Sequence, residues 1–392
     1  MTGFVFIQQL PIMRFNFILL LPLFFPLILN GQKNNNDSIP VFPDLVYEFR
    51  FAQLHKSSAI DLEFNVDVKK YIEIFTIQRR TDIARILGLK ELYFPIFEEY
   101  LDKYGLPLEL KYLPIIESGL NPLARSSSGA VGLWQFLYHS ANMFDLKITS
   151  FTDERSDVFK STEAACKYLK YLHQTYDNWY LALSSFNGGP GVVRNAIERT
   201  GGKTSYSEIC TLFPEQTKNY VPAFIAMIYV INYAHEHKIK PIRPEFIFSD
   251  IDTVMVKYNL HFSELAEIIK LPIETIRYLN PTYKLDVITE ADQPQTLVLP
   301  KDKIKTYFIH ENKLYANSLS RSRIPQIEIP KQKLIYKVKQ GDFLHKIAIQ
   351  NGCSLEELKK WNNLKSDSVS IGQSLIIWKE KPNNEPNLVN QP

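Results

Sequence analysis

Apolar side chains recur every three or four positions through residues 65–240, and this spacing predicts a domain that is almost entirely helical. Gly88, Gly105 and Pro107 are expected to end the first two helices, and Ser161 is expected to cap a later one. The helices predicted from this pattern cover 67–89, 91–104, 161–172, 179–186 and 216–235.

The pattern changes after Pro241 and Pro244. Residues 254–300 predict a strand, two short helices and a second strand, and residues 334–378 repeat that order. We therefore expect a mainly α fold, with a helical domain followed by small α+β modules of β-α-α-β order. The predicted segments are a signal peptide at 1–31, a flexible N-terminus at 32–64, the helical domain at 65–245, a first module at 246–302, a linker at 303–333, a second module at 334–379 and a disordered tail at 380–392.

The N-terminus carries an apolar run at 15–29, with Arg14 directly before it. The run is short for a bilayer span and contains Pro22 and Pro26, so it predicts a secretory signal with cleavage after Gly31. An uncleaved anchor is the alternative. The expected location is outside the cytoplasm, in the periplasm or cell envelope.

Charge and cysteine content exclude several classes of protein. The 392 residues include 45 basic and 42 acidic side chains, a balance too even for a nucleic-acid-binding protein. Cys166, Cys210 and Cys353 are too far apart for a disulfide framework or a zinc site, and none follows the apolar run as a lipid anchor would require. The first two are expected to pack in the core.

Glu117 is the strongest candidate for catalysis. It follows the apolar run 113–116 and is the only acidic residue between Glu109 and Asp145. Gly119 and the proline at 122 predict that its helix ends there, which places a carboxylate near a helix C-terminus beside apolar side chains. Both features raise the pKa of a carboxyl group, as a general acid requires. The alternative is a solvated glutamate at a helix end.

Four short motifs follow in order: Glu-Ser at 117–118, Gly-Leu-Trp-Gln at 132–135, Ser-Phe-Asn-Gly-Gly at 185–189 and Glu-Gln-Thr-Lys-Asn-Tyr-Val at 215–221. Together they resemble the lytic transglycosylase (SLT) family, which cleaves bacterial peptidoglycan. The resemblance implies a lysozyme-like helical domain, glycan strands of peptidoglycan as the substrate, and no metal or cofactor. It also implies that a 1,6-anhydro ring forms on N-acetylmuramic acid.

The resemblance assigns roles to single residues. Glu117 would act first as acid and then as base, with Ser118 orienting it or the substrate's N-acetyl group. The remaining contacts implied are Gln135 and Asn187 to the sugars, Tyr220 to Glu117, and Phe186 to substrate in place of the family's tyrosine. Trp134 replaces a methionine that is usual in the family.

Two alternative functions remain open. A muramidase that uses water would need a second acid, for which Asp153 and Glu215 are the candidates. A wall-binding protein without activity is the other alternative, although an intact Glu117 argues against it. The cluster Asp153-Glu154-Arg155 is expected to fix its loop by charge pairing.

The second module resembles a LysM domain, a family that binds glycans containing N-acetylglucosamine. The resemblance rests on residues 338–344 and on Trp361-Asn362-Asn363-Leu364. The glycan contacts that it implies are Gly341, Asp342, Phe343 and Leu344, with Phe343 standing where the family usually has threonine. The first module keeps Leu279-Asn280-Pro281 but lacks the Gly-Asp turn, so we expect a structural role for it. We expect a monomer at the cell wall or membrane surface.

Overall fold

The computed structural model describes residues 39–320, 331–339 and 355–380, together with a few single residues between 342 and 353. The helices are α1 Asp44–His55, α2 Val66–Glu73, α3 Arg80–Tyr104, α4 Leu113–Ser118, α5 Tyr138–Met143, α6 Val158–Tyr176, α7 Trp179–Gly188, α8 Pro190–Arg199, α9 Tyr206–Ile209, α10 Glu215–Asn232, α11 Phe262–Ile269, α12 Ile273–Leu279, α13 Lys301–Ser320 and α14 Leu355–Trp361. The strands are β1 Ile251–Val256, β2 Leu260–His261, β3 Val287–Ile288, β4 Gln295–Pro300, β5 Lys331–Lys337 and β6 Ser374–Glu380. The predicted signal peptide lies outside the described residues, as does the predicted tail apart from Glu380, which ends β6.

The chain divides into two compact units. Among the described residues, the first unit combines those before Arg80 with 169–238, and the second combines 80–168 with those from Ile239 onward. The mainly helical class and the small antiparallel sheets of the C-terminal modules confirm the predicted fold.

The first unit is built around α10, against which α2 and α7 pack. Helix α1 also belongs to its core, because Tyr47 and Phe51 are each 2% exposed and Phe51 stacks on Tyr229. Arg50 donates a hydrogen bond of 2.6 Å to the Tyr229 hydroxyl. The predicted flexibility of 32–64 is therefore wrong for 44–55, where aromatic burial outweighs the cost of ordering the chain.

The second unit begins with α3, which runs through Gly88 where the sequence predicted a break. A Cβ atom on Gly88 would lie 1.8 Å from the carbonyl oxygen of Ile242, and the amide of Ile242 donates to Ala84. The glycine thus serves close packing of a neighbouring segment rather than helix termination. The predicted cap at Ser161 is also wrong: Asp157 accepts from the amides of Phe159 and Lys160 and caps α6 one turn earlier.

Both C-terminal modules begin and end with a strand, as predicted. Strand β1 pairs antiparallel with β4, and β5 pairs antiparallel with β6. Helices α11 and α12 fill the interval in the first module, and α14 is the second helix of the other module. The first helix predicted in the second module falls largely on residues outside the described set.

One asparagine holds each module together in the same way. The Asn280 amide group donates to the carbonyls of Ile276 and Val298 and accepts from the amide of Val298 at 2.7 Å. Asn362 makes the same three bonds with Leu358 and Ile376. This shared clamp between helix and final strand supports the internal repeat predicted from the sequence.

The predicted linker at 303–333 is wrong over its first half, because α13 covers 301–320. Tyr307 and Leu314 are fully buried in the core of the first module, and the Tyr307 hydroxyl lies 3.2 Å from that of Tyr258. Apolar residues at helical spacing make this segment part of the module.

Candidate active site

Glu117 lies in the last turn of α4, a short helix that starts from buried apolar residues. Ile115 and Ile116 are at most 2% exposed, whereas Glu117 is half-buried. Gly119 adopts a left-handed conformation, with φ of 61°, and its amide donates to the carbonyl of Ile115. The predicted helix end is therefore confirmed, and it places the half-buried Glu117 directly after buried apolar residues.

Ser118 joins this helix to the Gly-Leu-Trp-Gln segment. Its hydroxyl lies 2.8 Å from the carbonyl oxygen of Pro114 and 3.0 Å from that of Leu133, and the side chain is 4% exposed. A hydroxyl has one proton to donate, so the two carbonyls share it. Ser118 thus holds the backbone beside Glu117 against the turn at 132–135.

That turn is shaped by Gly132. Its φ is +88°, and a Cβ atom there would lie 1.8 Å from the carbonyl oxygen of Arg155. The turn is closed by mutual hydrogen bonds between the backbones of Val131 and Phe136. Only glycine allows the Asp153–Arg155 loop to approach so closely.

The Asp153–Arg155 pair supports the turn from behind. The Arg155 guanidinium donates to both carboxylate oxygens of Asp153, at 2.9 and 2.8 Å, and to the carbonyl of Gly129 at 3.0 Å. Asp153 is 2% exposed, and its burial favours the neutral form. The hydrogen bonds and charge of Arg155 outweigh that burial and hold the pKa of Asp153 below its ordinary value. The predicted role of this cluster in fixing the loop is supported by these contacts.

Gln135 and Trp134 have different surroundings within the motif. Gln135 is half-buried, with φ of 49°, and its amide nitrogen donates to the carbonyl of Gly132 at 2.8 Å. Trp134 is 1% exposed, donates to the Thr162 hydroxyl at 3.0 Å and meets Phe97 edge to face. Trp134 therefore fills the core, while Gln135 stays at the surface of the turn.

The other predicted substrate contacts belong to the first unit. Phe186 and Asn187 lie in the last turn of α7 and are half-buried, and Tyr220 is 3% exposed on α10. A Cβ atom on Gly188 would lie 2.6 Å from the Thr217 hydroxyl, so this glycine lets α7 pack closely on α10. The Asn187 Oδ1 atom is buried and accepts no hydrogen bond from the described residues. The predicted bond between Tyr220 and Glu117 stays a prediction.

The predicted glycan contacts of the second module are only partly described. Gly341 and Phe343 lie outside the described residues. Asp342 accepts from the Tyr336 hydroxyl at 2.7 Å and from the amide of Lys339 at 2.9 Å, so its carboxylate holds the turn after β5. Leu344 is 1% exposed in the module's core, and we infer that it packs rather than touching a ligand.

The described residues contain no group of three or more acidic, histidine or cysteine side chains arranged to bind a metal ion. Cys166 and Cys353 are buried, and burial raises the pKa of Cys166 to about 12. Cys210 is half-buried and packs against the buried cluster that includes Ile209 and Phe213, as predicted. In the described part of the chain, no helix is both long and apolar enough to cross a bilayer.

Comparison with known families matches three parts of this chain. Residues 95–209 match the transglycosylase SLT domain, residues 250–316 match the LysM-like domain of lytic transglycosylase MltD, and residues 336–378 match the LysM domain. The chain therefore carries an SLT transglycosylase domain followed by two LysM-type domains.

Similar proteins include membrane-bound lytic murein transglycosylase D of Escherichia coli (strain K12), 28% identical over 285 residues. That match covers 70% of this chain and 61% of the relative's length. A putative tributyltin chloride resistance protein of Alteromonas sp. (strain M-1) is 39% identical over 115 residues, covering 29% of this chain and 55% of that protein. The 70 kDa soluble lytic transglycosylase of Escherichia coli is 25% identical, with a TM-score of 0.32 over 36% of this chain and 24% of that one.

Proposed function

We propose that this protein is a peptidoglycan lytic transglycosylase that cleaves the β-1,4 bond between N-acetylmuramic acid and N-acetylglucosamine. The observation that carries the proposal is the position of Glu117: a half-buried carboxyl in the last turn of α4, held beside Gly-Leu-Trp-Gln by Ser118. The match of residues 95–209 to the SLT domain supports the same reaction.

The proposed reaction needs one carboxyl group. Protonated Glu117 donates its proton to the glycosidic oxygen as the bond to C1 breaks. The resulting carboxylate then takes the proton of the C6 hydroxyl on N-acetylmuramic acid, while that oxygen bonds to C1 and closes the 1,6-anhydro ring. The nucleophile belongs to the substrate, so its approach costs little entropy, and the same group serves as acid and base.

The water-using alternative has little support from its candidate acids. Asp153 is buried and bound through both oxygens to Arg155, so it has no free edge with which to activate water. Glu215 is exposed at the start of α10 and accepts from the Asn219 side chain. We therefore favour the intramolecular reaction.

Sugar recognition is proposed for Gln135 and Asn187. The buried Oδ1 atom of Asn187 lacks a donor among the described residues, and such an acceptor suits an N–H or hydroxyl of a bound sugar. The second LysM-type module would add glycan affinity beyond the catalytic site, since residues 336–378 match the LysM domain.

We also propose an envelope location. The apolar run at 15–29 supports export, and the name of the relative in Escherichia coli, membrane-bound lytic murein transglycosylase D, supports action near a membrane. A monomer suffices for the proposed chemistry, because Glu117 acts alone.

Glu117→Gln tests the assignment. The amide cannot donate or accept the proton as a carboxyl group does, so lysis of purified sacculi should fall by about 10²–10⁴-fold with unchanged thermal unfolding. Glu109→Gln is the matched control, since it makes the same change in the short 3-10 helix Leu108–Tyr112 that precedes α4 and should retain activity. Substantial lysis by folded Glu117→Gln protein would rule out the assignment.

A further inference from the structure

The first LysM-type module lies against the loop that supports the catalytic motif. The backbone of Thr282 accepts from the amide of Asp153 at 2.9 Å, and the amide of Lys284 donates to Phe151 at 2.8 Å. Thr152 and Tyr283 face each other between these bonds as an antiparallel pair. The loop after α12 and the loop before α6 thus form a short two-stranded contact.

Two side chains reinforce this contact. The Thr282 hydroxyl donates to the carbonyl of Asp153 at 3.0 Å, and the Lys284 ammonium donates to the carbonyl of Thr149 at 2.7 Å. Thr282 and Tyr283 are 6% and 7% exposed, so the seam excludes most water. Tyr93 of α3 and Tyr278 of α12 line the same small cavity, which marks a second place where the module meets the helical domain.

A short series of hydrogen bonds connects this contact to the residue next to Glu117. Asp153 is bound to Arg155, whose guanidinium donates to the carbonyls of Gly129 and Phe136 at 3.0 and 3.4 Å. These two residues flank the turn that carries Gln135, and Leu133 in that turn is bonded to Ser118, the residue after Glu117.

The second LysM-type module leaves the corresponding segment exposed. The residues after the clamp residue Asn280 are covered by the loop at 149–153, whereas most of 363–368, after Asn362, faces solvent. The two modules share one fold but use the segment after the clamp asparagine differently.

We propose that the first LysM-type module is a positioning element of the catalytic domain, in which Thr282 and Lys284 hold the Asp153–Arg155 loop and thereby the turn bearing Gln135. The module contributes to catalysis by fixing the geometry of this turn. The expected effect of the module on the rate of glycan cleavage rests on the proposed function, whereas its expected effect on the geometry of the turn at 132–135 does not.

The test uses the full chain with the double substitution Thr282→Val and Lys284→Met. Amide hydrogen exchange of residues 129–136 should accelerate by about tenfold or more, because the support of the turn is weakened. On glycan substrate, kcat/KM should fall by about tenfold, since small misplacements of positioning groups are costly. Thr282→Ser with Lys284→Arg keeps the donors and should restore both quantities.

The matched control is Thr253→Val with Lys257→Met, which changes exposed residues of the same types on the same module away from the seam. Lys284→Met alone is measured in parallel, because it removes one exposed contact and should leave the fold intact. The test variants are the double substitution and Lys284→Met alone. If the amide exchange rates of residues 129–136 in both of them equal those of the control variant, the proposal is overturned. A wild-type protein without lytic activity would instead refute the proposed function, and the exchange result would still decide this inference.

Discussion

Asp153→Asn should destabilise the protein strongly although it replaces one side chain by another of nearly the same shape. Asp153 is 2% exposed and Arg155 is 7% exposed, so the variant leaves a buried guanidinium without its anion. Removing one partner of a buried ion pair costs about 3–5 kcal/mol. Arg155 keeps its bonds to Gly129 and Phe136, and these do not replace the lost charge.

The loss of stability caused by Asp153→Asn should become smaller at low pH. Burial opposes ionisation of Asp153, but Arg155 and the charge of Lys284 hold its folded pKa below the ordinary value of 3.8. A lowered folded pKa means that the ion pair's contribution is complete above the unfolded value and is lost as the pH falls through the folded one. The gap in unfolding free energy between wild type and variant should therefore narrow below about pH 4.

The assay is urea unfolding followed by circular dichroism at pH 7 and at about pH 3, which lies below the pH at which the gap should begin to narrow. Asp145→Asn is the control, because Asp145 is exposed and has a left-handed backbone that asparagine also accepts. A loss at pH 7 below about 1 kcal/mol for Asp153→Asn would show that the pair is worth no more than a surface ion pair, and the reasoning would be refuted.

Three further predictions concern the turn, the repeat and the second module. Gly132→Ala should lower the free energy of unfolding by about 2–5 kcal/mol in thermal unfolding, since backbone strain and the Arg155 carbonyl both oppose a Cβ atom. Gly129→Ala, with φ of +86° and open space around it, should show the cost of backbone strain alone. Equal losses of stability in the two variants would contradict the clash with Arg155. Asn362→Ala should lower local stability of its module by about 1–3 kcal/mol, seen as faster amide exchange in β6, and unchanged exchange would remove the clamp role. Deleting 331–392 should reduce retention on purified sacculi by about tenfold or more while cleavage of soluble fragments persists; equal retention would leave that module a structural role.

The sequence predicted those features that depend on local pattern. Gly119 predicted the end of α4 after Glu117. The order strand, two short helices, strand, which occurs twice in the sequence, predicted the two β-α-α-β modules. Charge pairing of Asp153 with Arg155 could be expected because the residues are two positions apart.

The errors arose where distant contacts decide the local structure. Helix α1 is stabilised by Tyr229, 179 positions from its partner Arg50, which no local signal records. Gly88 lies inside α3 and is needed there because the Ile242 carbonyl occupies the space of a side chain. Thr282 and Lys284 likewise gave no sequence signal, since their importance comes from a loop more than a hundred positions earlier. The helical spacing of Tyr307 and Leu314 could have signalled α13, but the prolines at 325 and 330 favoured a linker.

The proposed reaction is tested most directly by the origin of the oxygen in its product. Purified sacculi are digested in oxygen-18 water without added metal, and the muropeptides are analysed by mass spectrometry, with Glu117→Gln protein as the blank. The account predicts 1,6-anhydromuramoyl ends that carry no heavy oxygen, because the C6 hydroxyl of the substrate attacks C1. Reducing ends labelled with oxygen-18 and dependent on Glu117 would mean that water is the nucleophile, and the mechanism with a single carboxyl group would be contradicted.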